Sequence, residues 1–163
     1  MTSIILLGFM GAGKTTVGYQ LSDQLGYSFL DTDHEIEKQV GLSIPEIFES
    51  YGENYFRELE TQVLKEIPLD NYVIGTGGGI VEKEENRALL KEHNNTVYLK
   101  VDYDTILKRL VNDDSRPLWK QTDHERLTLF NRRQAYYEES SSLTIQTDAL
   151  TREEVSNQIL KYI

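Results

Sequence analysis

A chain of 163 residues is long enough for one domain with a sizeable core and too short for a catalytic domain plus a separate regulatory one. Its 17 Lys and Arg against 27 Asp and Glu give a formal net charge of -10, which excludes general affinity for nucleic acid or an anionic membrane. Cysteine is absent, which excludes disulfides and thiolate metal sites and suits a reducing cytoplasm.

No charged leader precedes a long apolar stretch, so no secretory signal is expected. The apolar runs are far too short for a membrane span, and a cytoplasmic location is expected. The first element is the apolar run Ile4–Leu7, suited to a buried parallel strand. Gly8-Phe9-Met10-Gly11-Ala12-Gly13-Lys14-Thr15 follows, a complete G-x-x-x-x-G-K-[ST] loop. Its glycines let successive N–H groups point into one anion-filled concavity. Lys14 is placed to reach the β- and γ-phosphates, and the Thr15 hydroxyl to ligate Mg²⁺. Val17, Leu21 and Leu25 carry a helical period over 14–25, so the loop opens onto a helix N-terminus with its partial positive charge.

The second strand is expected over Tyr27–Leu30, followed by Asp31-Thr32-Asp33. If that segment is extended, alternate residues point the same way and both carboxylates face one site. One could support Mg²⁺, and the other could hold a substrate hydroxyl and take its proton. The competing reading makes Asp33 a helix N-cap, and proximity to a phosphate loop favours the functional one. Helical patterns run over 33–40 and 44–66. Ser43 with Glu46 reads as a capping box, with Pro45 in the first turn. Arg57 and Glu60 are three apart on one helical face, which on spacing alone is an ordinary surface ion pair. Held in a fixed pose, Arg57 could instead take a carboxylate through both arms of its fork.

A third strand, Tyr72–Gly75, leads to Gly77-Gly78-Gly79. Three consecutive glycines are costly in entropy, and that cost favours close approach of a ligand over a simple turn. After a helix over 82–93 come a strand at Thr96–Val101 and a helix over 103–111 that Asp102 could cap. The polar segment 111–122 holds Arg116 and the lone Trp119, and its length suits a mobile lid. Arg116 is a candidate to stabilise transferring phosphoryl charge. A helix over 123–138 carries Arg132 and Arg133, about 100° apart, so one of the two is expected to face the cleft. The run from Glu138 to Ser142 closes that helix, Leu143–Gln146 is the last strand, and Thr151 with Glu154 caps a helix over 151–161. His34, His93 and His124 show no metal spacing. Strands alternating with helices imply a parallel sheet covered on both faces, with ligands at the carboxyl ends of the strands.

The ordered set GFMGAGKTT, DTD, FRELE, GTGGG, SRPL and R-x-x-x-Y resembles shikimate kinase over essentially the whole chain. The resemblance implies an α/β P-loop NTPase fold: a single domain over 1–163 with a central five-stranded parallel sheet, flanking helices and a lid at about 111–122. It implies transfer of the γ-phosphoryl of ATP to the 3-hydroxyl of shikimate, with one Mg²⁺, ATP and shikimate as partners, and a monomer. Gly11, Ala12, Gly13, Lys14, Thr15 and Thr16 would bind phosphate, and Arg109 would stack on adenine. Thr15 and Asp31 would serve the metal, and Asp33 would be the candidate base. Arg57 and Arg133 would clamp the shikimate carboxylate, Gly77, Gly78 and Gly79 would line the substrate, and Lys14 and Arg116 would neutralise transferring charge. The chain departs from the family where Arg133-Gln134-Ala135 lacks a proline and where Thr147–Leu150 lacks an arginine. Two rivals remain. A guanine-nucleotide switch would need an N-K-x-D motif, which is absent; a kinase of another small hydroxy acid or polyol such as gluconate would share the phosphate loop.

Overall fold

The computed structural model describes residues 2–111 and 121–163. Arg116, Trp119 and most of the expected lid at 111–122 lie outside the described residues. Five strands, β1 (Ile4–Leu7), β2 (Ser28–Asp31), β3 (Tyr72–Gly75), β4 (Thr96–Lys100) and β5 (Leu143–Gln146), form one sheet. Their order is β2-β3-β1-β4-β5, and every pairing is parallel. All four β1 residues are fully buried, as a central strand covered on both faces requires.

Parallel neighbours need crossovers, and the helices supply them: α1 (Lys14–Leu25), α2 (Thr32–Val40), α3 (Ile44–Tyr51), α4 (Glu53–Glu66), α5 (Glu84–Glu92), α6 (Tyr103–Leu110), α7 (Asp123–Ser140) and α8 (Arg152–Tyr162). The chain leaves β1 toward β2 on one side of the sheet, and leaves β3 toward β4 on the other. β1 and β3 are adjacent, so their departing loops open a crevice between them at the carboxyl edge. The main core packs around the sheet, and a smaller one of Ile36, Ile47, Phe56 and Val63 ties α2, α3 and α4 together. Among the described residues no helix is long and apolar enough to cross a membrane.

Three local expectations need correction. The helical pattern over 44–66 is two helices, because Gly52 adopts φ 86°, ψ 171° and ends α3 before α4 begins. The segment at Asp31–Asp33 is not extended throughout: Asp31 ends β2 and caps α2, accepting from the N–H groups of Asp33 at 2.9 Å and His34 at 3.2 Å. Asp102 occupies the N-cap of α6 without a capping bond, and its own N–H donates to the Asp148 carboxylate at 3.0 Å. The capping boxes at Ser43/Glu46 and Thr151/Glu154 form as read.

Candidate active site

The loop from Gly8 to Gly13 wraps the N-terminus of α1, with Gly13 at φ 91° as its N-cap. Only glycine holds that conformation without strain, and it turns the chain so that the first N–H groups of α1 face the crevice. Lys14 Nζ donates to the carbonyls of Gly8 at 2.6 Å and Phe9 at 3.0 Å, which keeps the ammonium over the loop. Arg109 on α6 donates through Nη1 to the Gly11 carbonyl at 2.8 Å. A cavity of about 440 Å³ opens here. Gly11, Ala12, Gly13, Lys14, Thr15 and Thr16 line it, with Asp31, Asp33, Gly77, Gly78 and Arg109. Thr147 and Leu150, from the segment that lacks the family's arginine, also line it, with Arg152 and Val155, which no motif marked.

Asp31 and Asp33 therefore share the site, although by a different route from alternation along a strand. Asp33 lies in the first turn of α2, and the β2–α2 junction directs both residues to the cavity. Both N–H groups that hold Asp31 use Oδ1, which fixes the carboxylate in the wall of the cavity that Thr15 also lines. Among the described residues no group of three or more His, Asp or Glu is arranged to hold a metal by itself. A Thr hydroxyl and one carboxylate fit Mg²⁺, which keeps several waters and takes the rest of its shell from phosphate.

Arg57, Gly79 and Arg133 do not line this cavity; they lie against the turn that forms one of its walls. A Cβ on Gly79 would overlap the Arg57 guanidinium, and one on Gly77 would overlap the Asp33 carboxylate. A Cβ on Gly78 would come within 3.4 Å of Arg133 Nη1. The glycine triplet thus makes room for the site's own charged side chains. Thr32 pins the turn by accepting from the Gly77 N–H at 3.0 Å, and Tyr137 donates to the Gly78 carbonyl at 2.5 Å.

Arg57 and Glu60 are not the surface pair that spacing favours. Arg57 is 7% exposed and Glu60 is fully buried, because this face of α4 packs against the glycine turn. Arg57 donates to Glu60 at 2.5 Å and to Glu53 at 3.2 Å. Its Nε and the Glu60 Oε2 are buried with no hydrogen-bond partner among the described residues, which marks polar capacity left for something else. Burial pushes the Glu60 carboxyl up to about 7, against the pull of Arg57 and with a further push from Asp33. Burial also works against the Arg57 charge, but Glu60 and Glu53 outweigh it and hold the guanidinium above its usual value. Of the adjacent arginines on α7, Arg133 is 2% exposed and Arg132 faces solvent, as a 100° separation demands.

A phosphate-binding loop, a paired-carboxylate junction and a switch-point crevice on a β2-β3-β1-β4-β5 sheet define a P-loop phosphotransferase. The family model described as shikimate kinase matches residues 10–163. Shikimate kinase of Enterococcus faecalis is 45% identical over 166 residues, spanning 100% of this chain and 99% of that protein. Among solved structures, shikimate kinase from Acinetobacter baumannii in complex with shikimate superposes with a TM-score of 0.93 at 40% identity, covering 99% of this chain and 92% of that one. The Aquifex aeolicus shikimate kinase gives 0.86, also at 40% identity, covering 98% of this chain and 94% of that one. The chain belongs to the shikimate kinase family. It is a kinase that passes phosphate to a hydroxyl, and the assignment disfavours the gluconate alternative.

Proposed function

We propose that this protein moves the γ-phosphoryl of ATP directly to the 3-hydroxyl of shikimate, with the donor in the cavity over the phosphate loop and the acceptor against the glycine turn. The observation that carries the reading is the pair of buried arginines, Arg57 and Arg133, set against Gly77–Gly79 beside the nucleotide cavity. Each guanidinium already has a carboxylate partner, Glu60 and Glu53 for Arg57 and Glu82 for Arg133, and the donors these leave over suit the carboxylate of a substrate.

Phosphoryl transfer needs mainly positioning and charge neutralisation. Lys14 and the N–H groups from Gly11 to Thr15 bind the β- and γ-phosphates. Thr15 and Asp31 would hold one Mg²⁺, which would supply neutralisation of the negative charge on the phosphates. Arg57 and Arg133 fix the acid by its carboxylate, and Glu60 holds Arg57 in place. Asp33 aligns the hydroxyl. The hydroxyl oxygen forms its bond to the γ-phosphorus as the bond to the β,γ-bridging oxygen breaks, and that electron pair leaves with ADP. The hydroxyl proton passes to Asp33.

A coupled ADP-release assay with MgATP and a panel of hydroxy acids tests the reading. Shikimate-dependent turnover is expected, and its absence would overturn the assignment. Asp33→Asn should lower kcat by about 10²- to 10⁴-fold while the KM for ATP stays within about twofold. Comparable losses in both would remove Asp33 from the transfer step.

A further inference from the structure

Glu82 belongs to none of the motifs singled out above, yet it joins the glycine turn to α5 and α7. Its N–H donates to the Gly79 carbonyl at 3.0 Å, which ties it to the glycine turn. Its own carbonyl accepts from Arg87 Nη1 on α5 at 3.1 Å. Its side chain reaches α7. Oε1 accepts from Arg133 Nε at 2.7 Å and Arg132 Nη2 at 3.0 Å, and Oε2 accepts from Arg132 Nε at 3.3 Å. Only 18% of the Glu82 side chain is exposed. Burial opposes its charge, but the two arginines win and hold its carboxyl below the usual value.

The choice of nitrogen matters. A guanidinium is a planar fork, and a carboxylate fixed at Nε sets the plane of the whole group. Glu82 takes the Nε edge of Arg133, while Nη1 lies on the Gly78 side of the group. Arg57 is held in a comparable way by Glu60, through Nη1. We infer that Glu82 is a positioning residue for the substrate carboxylate, locking the plane of Arg133 so that its remaining edge meets the substrate. The inference rests on the proposed role of Arg133 as a carboxylate clamp. Because Glu82 hangs from Gly79, the backbone beside the substrate and the arginine that grips it keep one register. Arg132 holds the same carboxylate from the solvent side, through Nε and Nη2.

The test measures KM for shikimate and for MgATP separately in Glu82→Ala, Glu82→Gln, Arg132→Ala, Arg133→Ala and the Glu82→Ala/Arg133→Ala double variant. Glu82→Ala should raise the shikimate KM about tenfold and leave the MgATP KM within about twofold. Glu82→Gln keeps an acceptor for Nε and should recover most of the loss. Arg132→Ala should leave the MgATP KM unchanged and raise the shikimate KM less than Glu82→Ala does, because Arg133 Nε still holds Glu82. The double variant should be no worse for shikimate than Arg133→Ala alone. An unchanged shikimate KM in Glu82→Ala, equal rises in both KM values, or independent losses in the double variant would each overturn the inference. An Arg133→Ala enzyme with unchanged shikimate KM would bring down the clamp reading and Glu82 with it. A loss in Arg133→Ala without one in Glu82→Ala would reject Glu82 alone. If Glu82→Ala does not fold, Glu82→Asp replaces it. That variant keeps the charge but withdraws the carboxylate by one methylene, and an unchanged shikimate KM there is equally fatal.

Discussion

Glu60 carries a large electrostatic cost, since it is fully buried and one of its oxygens has no hydrogen bond among the described residues. Its carboxyl is pushed from 4.5 to about 7 by burial, so between those values the native state holds a proton that the unfolded chain has released. Its stability contribution is therefore complete below pH 4.5 and is lost as pH rises toward 7, at no more than about 1.4 kcal/mol per pH unit. His93 acts with the opposite sign: burial lowers it from 6.5, so its contribution is lost as pH falls. Comparing the wild type with Glu60→Gln cancels the histidine. Urea midpoints from pH 4.5 to 7.5 should show the wild type losing stability relative to the variant as pH rises, and parallel curves would contradict the burial argument. Spacing revealed Arg57 and Glu60 but not their environment, because i,i+3 pairs look identical on a wet and a dry helix face. Glu82 was invisible for another reason. Its partners lie 50 and 51 residues away, and no local pattern announces a carboxylate that reaches across to α7.

The helix pair α3–α4 shows how an element can hide a break that matters to the site. Ile44, Ile47 and Phe48 share an apolar period with Phe56, Leu59 and Val63, and all feed the small core. One glycine is tolerable inside a helix, so periodicity alone reads through Gly52. Its dihedrals, φ 86° and ψ 171°, lie in a region essentially reserved for glycine, whereas Gly41 at φ 77°, ψ 16° is an ordinary left-handed cap. Among the described residues nothing beyond the chain neighbours lies within 4 Å of a Cβ at either position, so replacing each tests conformation alone. Gly52→Ala should cost about 1–3 kcal/mol and Gly41→Ala about 1 kcal/mol by urea unfolding. Gly52→Ala should also raise the shikimate KM, because Gly52 sets the start of α4, which carries Arg57 and Glu60. Equal costs at the two glycines would refute the ranking. Elsewhere local chemistry was legible. β1, β3 and β5 fall on their apolar runs, and two capping boxes form as read. A third, Thr122 with Glu125, carries the same T-x-x-E signal but stood inside the segment taken as a lid. The Asp148 carboxylate that occupies the Asp102 N–H is a partner 46 residues distant, beyond any capping rule.

At the scale of the molecule, an acidic chain gathers its cations where anions must bind. Lys14, Arg109 and Arg152 line the cavity over the phosphate loop, and Arg57 and Arg133 stand behind the glycine turn, while the net charge is -10. The sheet order makes this possible by bringing the loops after β1 and β3 to one crevice from opposite crossovers. The proposed donor and acceptor sites then share Asp33 and the wall at Gly77–Gly78 but not their arginines, since neither Arg57 nor Arg133 lines the cavity over the phosphate loop. Removing Mg²⁺ should accordingly silence one site and spare the other. Shikimate at about 100 times its Kd should stabilise the protein by about 2.7 kcal/mol, with or without EDTA. The stabilisation by ATP should shrink when EDTA is added, and turnover should stop. Arg57→Ala should abolish most of the shikimate effect and retain that of MgATP. Thermal or urea unfolding with each ligand decides the matter: if EDTA erases the shikimate stabilisation, the acceptor site depends on the metal and the two halves of the crevice are not independent.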